Sequence, residues 1–133
     1  MVQKRFINPE GLFRPGAYTP AVAAQGGRLI YVSGQVPQND KGELVGRGDL
    51  PAQAEQVYRN VELALKGAGA TFNDVVKLNI YVVDYRPEYR DLLHPVRARY
   101  VSKENPPAST MVGVQALARE GYLIEVEAIA VAD

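Results

Sequence analysis

The chain has 133 residues, with 15 Lys and Arg balanced by 15 Asp and Glu, and no cysteine. That length suits a single domain spanning residues 1–133, and the missing thiols exclude disulfides, thiolate metal sites and a cysteine nucleophile. A net charge of zero supplies no long-range field for nucleic acid or an anionic membrane.

The cysteine-free composition suits a reducing, cytoplasmic setting. No apolar run approaches the roughly 20 residues of a membrane span. The basic start Met1-Val2-Gln3-Lys4-Arg5-Phe6 lacks the apolar stretch of a secretory signal.

Residues 8–20 carry Asn8-Pro9, Gly11, Pro15-Gly16 and Pro20, which is loop chemistry. Phe13 and Tyr18 within it make the loop a candidate wall or lid of a site. Ala21 to Gln25 and Arg28 to Ser33, joined by Gly26-Gly27, read as a hairpin, because paired glycines supply the positive φ of a two-residue turn. The second strand ends at Ser33-Gly34-Gln35, where glycine permits close backbone approach.

Helical spacing of Ala54, Val57, Tyr58, Val61, Ala64, Leu65 and Ala68 predicts a helix from Pro51 to Lys66. Asp49 suits its cap, and Gly67 or Gly69 its stop. Val75 to Val83 alternates Val76, Leu78, Ile80 and Val82 with Lys77, Asn79 and Tyr81, a strand with one buried face. A second helix is predicted from Pro87 to Ser102, with Tyr89, Leu92, Leu93, Val96 and Tyr100 on one side. Pro95 inside it removes a hydrogen bond and predicts a kink or restart near His94-Pro95.

Two strands, Ser109–Ala116 and Tyr122–Val131, close the chain around the turn Arg119-Glu120-Gly121. The order β-β-α-β-α-β-β describes an α+β fold: a mixed sheet with both helices on one face. The other face then needs a cover, which a second subunit would supply.

The last strand places Glu125 and Glu127 on one face with Leu123, Ile129 and Val131, while Ile124, Val126, Ala128 and Ala130 form an apolar face for the helices. Two carboxylates two residues apart among aliphatics repel and lose water, which raises the pKa of at least one. Such a group could deprotonate a water; the plainer reading is a solvated face or a pairing with Arg or Lys. His94, the only histidine, is either an acid–base group or simply a helix-end residue before proline. With one His and no Cys, a transition-metal site is not expected. Arg86, Arg90, Arg97 and Arg99 are balanced by Asp84, Glu88, Asp91 and Glu104, a salt-laced helix surface rather than a nucleic-acid face. Neither a phosphate-binding glycine loop nor a nucleophile elbow is present.

Gly16-Ala17-Tyr18, Tyr31-Val32-Ser33-Gly34-Gln35, the Asn60 helix ending in Gly69, the strand at Val76–Val82, Pro107-Ala108-Ser109-Thr110 and Ile124–Ala130 together span nearly the whole chain. Taken together, these segments resemble the RidA/YjgF/L-PSP family of reactive-intermediate deaminases. The resemblance implies a chorismate-mutase-like fold, a homotrimer joined through its sheets, and sites in the clefts between subunits. It also implies hydrolysis of a small imine or enamine to a keto compound and ammonia, without a cofactor.

By position, Tyr18, Ser33, Gly34 and His94 would contact the small-molecule substrate, and Glu125 would hold or activate water. Ser109 stands where active deaminases carry the arginine that grips the substrate carboxylate, and Met111 replaces a thiol or polar residue. A serine offers a hydrogen bond but no bidentate ion pair. Arg14 and Arg97 are the candidates to replace that guanidinium. The sequence does not choose between them, and arginine is ordinarily a surface residue. The alternatives are therefore a deaminase of altered substrate preference and a family member that binds a metabolite without turning it over. A ribonuclease, an older label of the family, fits poorly with a net charge of zero.

Overall fold

The computed structural model describes all residues 1–133. Its elements are β1 (Gln3–Ile7), β2 (Ala21–Gln25), β3 (Arg28–Gln35), α1 (Leu50–Gly67), β4 (Val75–Val83), α2 (Tyr89–Ala98), β5 (Ala108–Val114) and β6 (Ile124–Ala132). The expected β-β-α-β-α-β-β order holds from Ala21 onward, preceded by one further strand.

The four-stranded sheet runs β3-β6-β4-β5, with β4 and β5 parallel and the other pairs antiparallel. The expected hairpin between Ala21–Gln25 and Arg28–Ser33 does not form. β2 pairs instead with β1, and β3 pairs with β6. Gly26 and Gly27 do take positive φ, 79° and 78°, so the chain reverses there as expected while its ladders separate into two sheets. A side chain at Gly27 would meet the Ala132 carbonyl at 2.4 Å, so glycine is needed there for close approach as well as for φ.

The helix α1 starts where Asp49 caps it, accepting from the Ala52 N–H at 3.1 Å. It buries Ala54, Val57, Tyr58, Val61 and Leu65 against the sheet. Opposite them lie Leu78, Ile80 and Val82 of β4 and Ile124, Val126, Ala128 and Ala130 of β6, the apolar face expected from the alternation. Truncating a fully buried leucine such as Leu65 to alanine would cost about 2–5 kcal/mol. The buried Gln53 donates to the Gly46 and Gly121 carbonyls and accepts from the Leu123 N–H at 2.8 Å, tying α1 to the loops at that end.

The second helix is shorter than its apolar pattern suggests and runs through Pro95 without a restart. Leu93 and Val96 are buried, whereas Leu92 is exposed. Packing of α2 is mainly against α1 rather than down onto β4 and β5. That offset leaves a space between α2 and the β4–β5 half of the sheet. No helix is long and apolar enough to cross a membrane.

Candidate functional site

The space beside α2 is a cavity of about 460 Å³. Loop residues 13 and 15–18 form one wall, α2 another, and Ser109 and Met111 of β5 the edge. Thr19 pins the loop: its hydroxyl donates to the Pro106 carbonyl at 2.5 Å and its N–H to the Pro107 carbonyl at 3.1 Å. The Pro-Pro-Ala-Ser segment and the aromatic loop are therefore one structural unit.

Ser109 pairs with Leu78 and Met111 with Ile80. Residues opposite each other in a ladder share a face, so Ser109 and Met111 point to the helix side. Tyr18 and His94 line the same cavity. Arg97, one turn beyond His94 on α2, reaches across it. Its Nη1 donates to Ser109 Oγ at 3.0 Å and its Nη2 to the Ala17 carbonyl at 2.8 Å. Arg14, the other candidate, is exposed and does not line the cavity. The expectation of two surface arginines thus fails for Arg97, which is half-buried at the position adjoining Ser109.

None of the ion pairs of the chain involves Arg97. A partly desolvated guanidinium without a carboxylate partner favours an anion. Tyr58 lies at the cavity floor, stacked on Tyr100 with ring centroids 5.6 Å apart. Burial pushes its hydroxyl pKa up, partly offset by the Arg97 charge.

The remaining sequence-derived residues sit elsewhere. Glu125 pairs with Tyr81 on the face turned away from the helices. Ser33 and Gly34 of β3 oppose the single Glu127 of β6, a bulge that sets Gly34 beside Glu125. A Cβ on Gly34 would stand 1.9 Å from Glu125 Oε2. Glu127 is occupied, accepting from Tyr81 Oη at 2.5 Å and from Asn79 Nδ2 at 3.1 Å. Glu125 has no such hydrogen bond. Burial, and then the Glu127 charge, push its carboxyl pKa up. Tyr18, His94, Arg97 and Ser109 therefore lie on one face of the sheet, and Ser33, Gly34 and Glu125 on the other.

Tyr58, Tyr85 and Arg90 also line the cavity, Arg90 from the helix side expected to be only a salt-laced surface. Tyr58 was legible only as a core position of α1.

Comparison with known proteins decides the family. The family model described as Endoribonuclease L-PSP matches residues 13–132. The chain belongs to the RidA/YjgF/L-PSP family. Among solved structures, the Rid-family protein YyfB of Yersinia pestis superposes with a TM-score of 0.88 at 42% identity, covering 97% of this chain and 98% of that one. The 3-aminoacrylate deaminase RutC of Acinetobacter baylyi is 34% identical over 96% of this chain and 97% of its own. A 2-iminobutanoate/2-iminopropanoate deaminase of Dermatophagoides farinae is 30% identical over 98% of both chains. The Rid fold, with two helices beside a mixed sheet, is the one described above.

Proposed function

We propose that this Rid-family protein hydrolyses a small imine or enamine carrying a carboxylate, releasing a keto compound and ammonia. The observation that carries the reading is the Arg97 guanidinium on Ser109 Oγ at 3.0 Å. It supplies from α2 the positive charge that Ser109, the residue after Pro107-Ala108, does not carry. The names of two relatives, an imine deaminase and an aminoacrylate deaminase, support the reaction class.

The guanidinium of Arg97 holds the substrate carboxylate, and Ser109, accepting from Arg97, retains its own O–H to donate. Tyr18 and His94 flank the reacting carbon. Water adds through its oxygen to the C=N carbon while Glu125 takes its proton. Glu125 returns that proton to the nitrogen, giving the neutral carbinolamine; it then takes the proton of the new hydroxyl and passes it to the amino nitrogen as the C–N bond breaks, so the C=O forms and ammonia leaves. Atoms and charge balance with water alone, so no cofactor enters. Burial, and then the Glu127 charge, raise the pKa of Glu125 and make its carboxylate a stronger base than a solvated one.

Glu125 and Arg97 face opposite sides of the sheet, so Glu125 must come from a neighbouring copy. In this reading three copies pack through their open sheet faces, where Leu29, Tyr31 and Val112 are exposed, and each cleft joins the two sets of residues. The trimer would work in the cytoplasm. The assay is ammonia release from 2-iminopropanoate or 2-iminobutanoate generated in place. Acceleration over spontaneous hydrolysis, lost in Glu125→Gln, is expected; no acceleration would refute the enzyme.

The separation of Arg97 from Glu125 also favours a second reading, a protein that binds an anionic metabolite without turnover. Thermal shift against keto acids tests it, since a ligand at 100 times its Kd stabilises by about 2.7 kcal/mol. Binding without acceleration would select this reading over the first.

A further inference from the structure

We infer that the cavity takes 2-imino acids with a large apolar, especially aromatic, side chain in preference to the short ones. This rests on the carboxylate–Arg97 reading and deepens it. The polar groups of the cavity are few: Arg97, Ser109, His94, Arg90 and the Ala17 carbonyl that Arg97 meets. The rest of its wall is apolar or aromatic, formed by Phe13, Tyr58, Ile80, Tyr85, Leu93 and Met111.

Three features make this more than an opening. First, Ile80 is fully buried yet lines the space, so the cavity reaches the core. Second, Ser109 is short, so the strand edge beside Met111 is not filled by a long side chain, and Arg97 enters from the opposite wall. Third, its volume, about 460 Å³, falls within the range that encloses a drug-sized molecule and far exceeds the need of a three-carbon acid. A short imine anchored on Arg97 would leave the apolar wall against water or void, whereas a phenyl or branched aliphatic group would remove that surface from water. Phe13, at 85% exposure the most exposed aromatic of the chain, stands at the wall where such a group would cover it.

The test supplies imines in place with an amino-acid oxidase from phenylalanine, leucine and alanine, and reads the release of ammonia, each relative to its own spontaneous rate. The expected kcat/KM for the phenylalanine-derived imine is at least tenfold that for the alanine-derived one, a difference of about 1.4 kcal/mol. Met111→Trp, which fills the cavity, is expected to shrink that ratio. Equal or reversed values would overturn the inference while leaving the hydrolysis reading intact. If no imine is accelerated, the hydrolysis reading fails and calorimetry with phenylpyruvate and pyruvate decides the inference alone. Phenylpyruvate binding at least tenfold tighter upholds it, and equal binding or none overturns it.

Discussion

Arg97 Nη1 lies 3.0 Å from Ser109 Oγ, which places a helix-borne guanidinium at the strand position where the sequence alone shows a neutral residue. If that charge grips the substrate, its origin matters less than its location. Arg97→Gln is expected to lose at least about thirtyfold in kcat/KM, since removing one partner of a desolvated charge pair costs about 2–5 kcal/mol. The exchange Arg97→Ser with Ser109→Arg is expected to recover part of that loss. Ser109→Arg alone sets two guanidinium groups side by side and is expected to weaken binding. Steady-state kinetics of the four proteins checks the set.

Gly34 has no room for a side chain because Glu125 occupies it, with Oε2 1.9 Å from the site of a Cβ. The obstacle is the end of a flexible side chain, so Gly34→Ala is expected to fold and to displace the carboxylate. Activity should fall to nearly that of Glu125→Gln, while the melting temperature changes little. A Gly34→Ala protein with unchanged kcat would contradict the role given to Glu125.

The pKa of Glu125 is raised in the folded chain, by burial and then by Glu127. The folded state therefore holds its proton more tightly than the unfolded state. Its contribution to stability falls as pH rises from the unfolded value through the folded one. Glu125→Gln, which cannot ionise, is expected to melt above the parent at pH 7 and to match it more closely at pH 4. Thermal unfolding across that range measures the difference. The same titration should appear as the acidic limb of kcat/KM in the parent protein, since the reaction requires the carboxylate form to accept a proton from water.

The aromatic loop and the Pro106-Pro107 segment are tied through Thr19, which is buried and bonds both carbonyls. Thr19→Val removes the hydroxyl and leaves the Pro106 carbonyl without that donor, at a cost of about 1–3 kcal/mol. Both the denaturation midpoint and the affinity for substrate are expected to fall, because Ala17 holds Arg97 through the same loop. A change in stability with KM unaltered would separate the loop from the site.

Much of this architecture could be read from the sequence. The period of α1 and the alternation of β4 and β6 placed those elements and their buried faces, because each presents one long apolar stripe to a single core. Partner choice was less legible: Gly26-Gly27 encodes a reversal but not which strand β3 pairs with, and β6 takes that edge. β1 passed as a basic terminus because Gln3, Lys4 and Arg5 hide its weak alternation. The resemblance named Tyr18, His94 and Ser109, which the structure gathers at one cavity, and Ser33, Gly34 and Glu125, which it gathers on the other face. Arg97 was only one of two candidates. Its spacing of three from His94 put both on one side of α2, but only the offset of that helix from β4 and β5 brings it to Ser109.

The most direct test of Arg97 is a crystal structure of the assembled protein with a 2-keto acid bound. The expected result is a carboxylate with both oxygens at about 2.7–2.9 Å from Arg97 nitrogens, the keto carbon lying towards Glu125 of a neighbouring copy. A carboxylate held elsewhere, with Arg97 still bonded to Ser109 and Ala17, would contradict it.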